Sequence, residues 1–242
     1  MDTKENNKVK IAGVVASDFK FSHEIYGEGF YTMMVDVQRL SESVDTIPVT
    51  VSERVVNINE DFTGQYVTVT GQFRSYNRAE KDNQRRRLIL SVFAQEVEFN
   101  EEATADTYDT NNVELDGFIC KEVHYRKTPL GREIADMLLA VNRPYGKSDY
   151  IPCICWGRNA KYAEALATGT HMKVWGRIQS RSYIKKINEN DSEERTAYEV
   201  SLNKIKVIDE PEAEDVEEVA SAETSAETSV ETSAEATENS GF

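Results

Sequence analysis

The feature that most constrains this chain is that it repeats itself. VKIAGVV at Val9 returns as VELDGFI at Val113, and MMVDVQR, ending at Arg39, returns as MLLAVNR, ending at Arg143. TIPVTV, with Ile47 and Pro48, matches YIPCIC, with Ile151 and Pro152. VTVTGQFRS, around Gly71, matches KVWGRIQS, around Gly176. The offset holds at 104 or 105 residues through all four blocks, so residues 1–208 must contain two copies of one fold. The expected domains are 1–105 and 106–208, each long enough for a small core of its own, with 209–242 left over as a tail.

Within each copy the pattern is that of strands. In the second, 112–123, 132–142, 149–156, 171–182 and 195–207 are rich in β-branched and apolar residues. Between the third and fourth of these, NAKYAEALATG offers Asn159 as an N-cap, Gly169 as a C-cap and an apolar helical face of Tyr162, Ala163 and Leu166. Five strands with a helix between the third and fourth is the order of an OB barrel. Gly13, Gly117, Gly71 and Gly176 lie inside strand-like runs, where a small barrel must bend. SERVVNINEDFTG holds the helix position in the first copy, with poor helix formers at Val55, Val56 and Asn57. The fold class predicted is all-β with one short helix per domain: two tandem five-stranded OB barrels and a disordered acidic tail.

That tail explains the charge. The chain is −15 overall, but 1–105 carries −5, 106–208 carries +2 and 209–242 carries −12. AETSAETSVETSAEAT is low in complexity and cannot bury enough apolar surface to order itself. The acidity therefore says little about the barrels. The N-terminus MDTKENNKVK lacks the apolar stretch of a signal peptide, and no apolar run is long enough to span a bilayer; the expected location is the cytoplasm.

Cys153 and Cys155, in SDYIPCICWGRNA, invite a metal or redox reading. No further ligands are spaced for zinc, and the other cysteine, Cys120, and the three histidines are scattered. On a strand the two cysteines share one face, while Tyr150 and Trp156 share the other. The expectation is cysteines inside, rings outside, and no metal or cofactor. Paired carboxylates, a nucleophile with its base and a phosphate loop are likewise missing from the pattern, so the expected protein is not an enzyme.

The second copy interleaves aromatic and basic residues: Arg126, Lys127, Arg143, Tyr145, Lys147, Tyr150, Trp156, Arg158, Lys173, Trp175, Arg177, Arg181, Tyr183 and Lys185. On the fourth strand Lys173, costly to bury, shares a face with Trp175 and so turns that ring outward. Exposed rings between cations suit single-stranded nucleic acid, whose bases stack and whose phosphates need charge. The same composition suits a protein interface. Spacing alone leaves both open, the second as an OB module of a replisome or primosome that does no DNA stacking.

NNVELDGFI, RKTPLGREIADMLLAVNR, SDYIPCICWGRNA, GTHMKVWGRIQSRSY and RTAYEVSLNKIKV, running in order from Asn112 to Ile208, resemble the bacterial single-stranded DNA-binding protein family. The resemblance implies an OB fold, four barrels with DNA wrapped around the outside, and roles in replication, recombination and repair. Its stacking positions fall on Tyr145, Tyr150, Trp156 and Tyr183; Trp175 joins them from the facing argument. Arg126, Lys127, Arg143, Lys147, Arg158, Lys173, Arg177, Arg181 and Lys185 are the expected phosphate contacts. Two chains would supply four barrels, so a homodimer is implied. The family's tail ends in an acidic tip and Pro-Phe that docks replication and repair proteins. Here TENSGF keeps Phe242 without the proline. In the first copy the four stacking positions map to Ser41, Thr46, Ser52 and Asn77 or Arg78, with Tyr76 adjacent. With Arg74, Arg78 and Arg85 to Arg87 nearby, that barrel is expected to keep the fold, lose most stacking, and supply phosphate or oligomer contacts.

Overall fold

The computed structural model describes residues 6–79, 86–100, 111–186 and 192–208. The tail with Phe242, Arg85 and the expected boundary at 105/106 lie outside the described residues. The first copy forms β1 (Asn7–Val15), β2 (Lys20–Ile25), β3 (Glu28–Gln38), β4 (Val44–Ser52), β5 (Tyr66–Ala79) and β6 (Arg86–Asn100). The second forms β7 (Asn111–Ile119), β8 (His124–Lys127), β9 (Glu133–Asn142), β10 (Ser148–Trp156), β11 (His171–Lys186) and β12 (Ser192–Val207), with α1 (Arg158–Glu164) after β10. Among the described residues no helix is long and apolar enough to cross a membrane.

Each copy closes a five-stranded barrel. In the first, β1 pairs with β3 and β5, β3 with β4, β5 with β6, and β4 meets β6 in parallel at Val49 and Val92. In the second, β7, β9, β10, β12 and β11 close the same way, with the parallel seam at Cys153 and Val200. β2 and β8 are additions, each a short strand hairpinned onto the next. Alternate residues fill the interiors: Met33, Val35, Ile47, Val49, Val69 and Phe73 in one barrel, Leu115, Leu139, Ile151, Cys155, Met172 and Ile178 in the other, none of them reached by solvent. At Gly71 and Gly176 the ladder slips by one residue, opposite Gln95 and Asn203. A Cβ there would sit 2.1 Å from the Phe93 carbonyl oxygen and 2.3 Å from that of Ser201, so the bend admits only glycine.

The prediction of one helix per domain holds for the second barrel alone. There α1 starts at Arg158 behind Gly157 and buries Ala160 and Ala163. Asn159 is not its cap; the Asn159 Nδ2 donates to the Asn203 carbonyl at 3.1 Å. The helix stops before Gly169, whose left-handed turn (φ +94°) leads into β11. In the first barrel 53–65 is a series of turns. Asn57 and Asp61 accept hydrogen bonds from the Asn59 and Thr63 N–H groups, which competes with helix formation. Phe62, stacked on Phe99 with ring centres 3.8 Å apart and set edge-on to Phe19, packs against the core from this segment.

The barrels are joined by the antiparallel pair β1–β7, centred on Val9 opposite Val113, which are equivalents in the repeat. The result is a local two-fold axis within one chain. Two latches obey it. The Asp45 carboxylate, fully buried, accepts from Arg39 Nε (2.6 Å) and Nη2 (2.5 Å) and from the N–H and hydroxyl of Ser180, on β11 of the other barrel, at 2.6 and 3.0 Å. Asp149 does the same with Arg143 and with the N–H of Ser75, on β5. Each arginine also donates to the partner serine's carbonyl, Arg39 to Ser180 at 3.3 Å and Arg143 to Ser75 at 3.0 Å. The long hairpins β5–β6 and β11–β12 therefore act as arms, each pinned across the other barrel.

Burial alone would raise the Asp45 pKa, but the Arg39 and Ser180 hydrogen bonds outweigh it and hold the carboxyl below its usual range. A depressed folded pKa stabilises above the ordinary aspartate value of about 3.9, and this contribution is lost as pH falls through the lower folded value. Asp45→Asn is expected to cost about 3 kcal/mol in urea unfolding at pH 7, since it leaves Arg39 without its anion. It is also expected to flatten the fall in stability below pH ~4.

Candidate nucleic-acid interface

The outer wall of β9 and β10 gathers three of the five candidate rings. Tyr145 stands at the tip of the turn between them, wholly exposed. Its φ of 66° is left-handed, a conformation that costs a non-glycine residue roughly 1–2 kcal/mol. The turn is closed by the Arg143 N–H donating to the Lys147 carbonyl at 2.7 Å. Tyr150 and Trp156 follow on β10, 44% and 37% exposed. Six residues separate them, about 20 Å along a strand. The Trp156 indole N–H donates to the Ser201 hydroxyl at 3.1 Å, which fixes the ring against β12. The Tyr150 backbone N–H donates to Ser75 Oγ at 2.8 Å, so the first barrel's arm holds the middle of this track.

Charge flanks the rings. Arg126, Ile134 and Trp156 lie in one cross-strand row, β8 to β9 to β10, and side chains opposite one another share a face. Arg126 bridges to Asp136 at 2.8 Å and Lys127 to Glu133 at 3.8 Å, both half in solvent. Exposed bridges of this kind are weak, so the cations remain available to a stronger anion. Lys147, beside Tyr145, and Arg158, two residues after Trp156, are exposed.

Other candidates stand elsewhere. Trp175 is on β11, separated from Trp156 by β12, and is only partly exposed. Its indole N–H donates to Glu114 at 3.0 Å, and its ring lies under Lys204 and Lys173, 4.6 and 5.5 Å from its centre. Lys173 is itself bridged to Glu114 at 2.7 Å. Trp175 is thus embedded in a local charge cluster and does not extend the β10 track. Arg143, expected at a phosphate, is committed to Asp149 and Ser75 through its Nε and Nη2. Arg177 points to the other latch, 3.6 Å from Asp45, and burial beside Arg39 lowers its pKa. Tyr183 and Lys185 ride on the β11–β12 arm and face the first barrel, with Arg181 6.0 Å over the Tyr183 ring.

The first barrel holds a cluster of packed rings that the repeat offset does not find. Phe30, the residue opposite Ser52, stacks on His23 at 5.0 Å and meets Phe93 at 5.7 Å; the Arg74 guanidinium covers Phe93 at 3.8 Å. Ser52 corresponds to Trp156, so the ring lost from the third strand of the barrel is replaced by one on the fifth. Tyr76 and Tyr198, missed as site residues, come together with Tyr183 and with Arg87, one of the first copy's expected phosphate or oligomer contacts. The signal available for Tyr76 was its place one residue from the position that matches Tyr183.

Residues 110–208 match the single-strand binding protein family. The chain is 32% identical over 118 residues to single-stranded DNA-binding protein 2 of Listeria monocytogenes, covering 46% of this chain and 71% of that protein. It is 39% identical over 80 residues to the single-stranded DNA-binding protein of Halalkalibacterium halodurans, covering 30% of this chain and 48% of that one. The chain thus spans about half the length of several curated relatives. The crystal structure of the wild-type single-stranded DNA binding protein from Thermus aquaticus superposes over 86% of this chain and 96% of its own, with a TM-score of 0.68 at 17% identity, a likeness of fold. The chain belongs to the single-strand binding protein family, in a form with two OB barrels in tandem.

Cys153 and Cys155 lie inside, as their spacing predicts. Burial drives the Cys153 thiol well above its usual pKa and pushes Cys155 up to about 12. Both are therefore neutral thiols at pH 8, and only thiolates react. Iodoacetamide at pH 8 is expected to leave both unmodified in the native protein and to alkylate both in urea, as read by peptide mass.

Proposed function

We propose that this protein binds single-stranded DNA without regard to sequence, along the β9–β10 wall of the second barrel. Tyr145, Tyr150 and Trp156 stack on bases; Arg126, Lys127, Lys147 and Arg158 meet phosphates. The observation that carries the reading is the exposed line of three rings, of which Trp156 is held by its indole N–H on Ser201 and Tyr150 sits where its backbone N–H is anchored on Ser75. Every base has a flat face, so such a line is indifferent to sequence. The names of the relatives support the same reading. In the cell the protein would cover exposed strands during replication, recombination and repair in the cytoplasm, as a homodimer with four barrels.

Titration of Trp fluorescence with oligo-dT tests this. Strong quenching and an affinity that falls with salt are expected. Tyr150→Ala and Trp156→Ala should each weaken binding by about tenfold, within the 1–3 kcal/mol that a stacked base contributes. Unchanged affinity in both would refute the reading and favour a protein interface. The C-terminus is proposed to dock replication and repair proteins through Phe242; removal of residues 240–242 is expected to abolish their co-purification while leaving the dT affinity intact.

A further inference from the structure

The turn that carries Tyr145 is held in an unfavourable shape, and two of its supports come from the other barrel. Tyr145 and Gly146 are both left-handed, with φ of 66° and 69°. The Tyr145 ring is wholly exposed and packs on nothing that could impose this backbone, so the stems of the turn must impose it. The β10 stem is gripped by Ser75, on β5, through all three of its polar groups. Its N–H donates to the Asp149 carboxylate, its carbonyl accepts from Arg143 Nη2 at 3.0 Å, and its hydroxyl accepts the Tyr150 N–H at 2.8 Å. The β9 stem is met by Asn6, directly ahead of β1, whose Nδ2 donates to the Asn142 carbonyl at 2.6 Å. Ser75 and Asn6 are both buried, so neither can reach a ligand on the outer wall.

The repeat supplies an internal comparison. Ser180 is the equivalent of Ser75, and its hydroxyl is used differently: it donates to Asp45 at 3.0 Å. The turn beside it, 39–43, carries Ser41 where the second barrel carries Tyr145. In one latch the serine hydroxyl serves the buried aspartate; in the other it serves the strand that carries Tyr150. We infer that Ser75 and Asn6 are positioning residues for single-stranded DNA binding, holding Tyr145 and Tyr150 of the neighbouring barrel in place to stack without touching the DNA themselves. The proposal rests on the reading of the β9–β10 wall and deepens it. A ring fixed before its ligand arrives loses less freedom on binding, and the saving appears as affinity. The first barrel thus takes part in recognition from behind the site, whatever its own surface meets.

Fluorescence anisotropy of labelled dT of about 15 nucleotides, within the span of one barrel, tests this on the full chain, with urea unfolding of each variant alongside. Ser75→Ala removes one hydroxyl and leaves the backbone part of the latch in place. It is expected to weaken binding about fivefold, the loss of one hydrogen bond. Asn6→Ala, which leaves the latch whole, is expected to weaken it about threefold. Ser75→Thr restores the hydroxyl and is expected to bind as the parent chain does. Ser180→Ala, the matched change in the other latch, is expected to lower the urea midpoint to a similar extent as Ser75→Ala and to leave affinity unchanged. The slope of log affinity against log salt should stay as in the parent for Ser75→Ala, because no phosphate contact is lost. In a chain already carrying Tyr145→Ala and Tyr150→Ala, Ser75→Ala is expected to have no further effect on affinity, since the rings it positions are gone. Normal binding by both Ser75→Ala and Asn6→Ala, alongside weak binding by Trp156→Ala, overturns the positioning role and leaves the β9–β10 reading standing. Normal binding by all three overturns both. Equal losses of affinity in Ser75→Ala and Ser180→Ala, or a loss that persists without the two rings, would show that the hydroxyl serves the fold alone, and the proposal fails.

Discussion

The antiparallel pairing of β1 with β7 fixes the rest of the architecture. Because Val9 faces Val113, and these are equivalents in the repeat, the pairing creates a local two-fold axis, and the main latches between the barrels come as a pair. The buried Asp45 and Asp149 are the clearest case. Neither could sit in the interior without compensation, since an isolated buried carboxylate is very costly. Each is satisfied by an arginine of its own barrel and a serine N–H of the other. The ion pairs therefore pin each arm across the other barrel and place Ser75 where it supports Tyr150.

Within this symmetric frame the two halves have diverged in what they show to solvent. The second barrel lines its third strand with Tyr150 and Trp156. The first replaces them with Thr46 and Ser52, and Thr46 turns its hydroxyl to Asp36 at 2.6 Å. Its rings have moved to β3 and β6, where Phe30 and Phe93 are largely covered by His23 and Arg74. The cores have hardly changed in kind, being filled by alternating aliphatic residues in both. The core positions differ in residue, Val51 against Cys155 and Phe73 against Ile178, but stay apolar, while the change in chemical character is on the walls.

Much of this was legible in the sequence, because barrels announce themselves by local pattern. Alternation gave the strands, the glycines at 71 and 176 gave the bends, and parity placed Cys153 and Cys155 opposite Tyr150 and Trp156. What was hidden depends on contacts between distant residues. Arg143 looks like a free surface cation until Asp149 and Ser75 are brought to it. Trp175 shares a face with Lys173, but nothing local reveals that Glu114 and Lys204 enclose it. The missing helix of the first barrel was half visible in Val55, Val56 and Asn57; that Phe62 would pack there instead depends on Phe99, on another strand. Tyr76 and Tyr183 meet only because the arms cross.

Carrying both halves on one polypeptide has a consequence for how such a pair survives change. Between separate identical subunits, a mutation at the shared surface strikes twice, and the partners drift apart on dilution. Here the tether keeps the halves at high effective concentration at any level of expression. Asp45 can be altered while Asp149 still holds, so each clasp is free to evolve on its own.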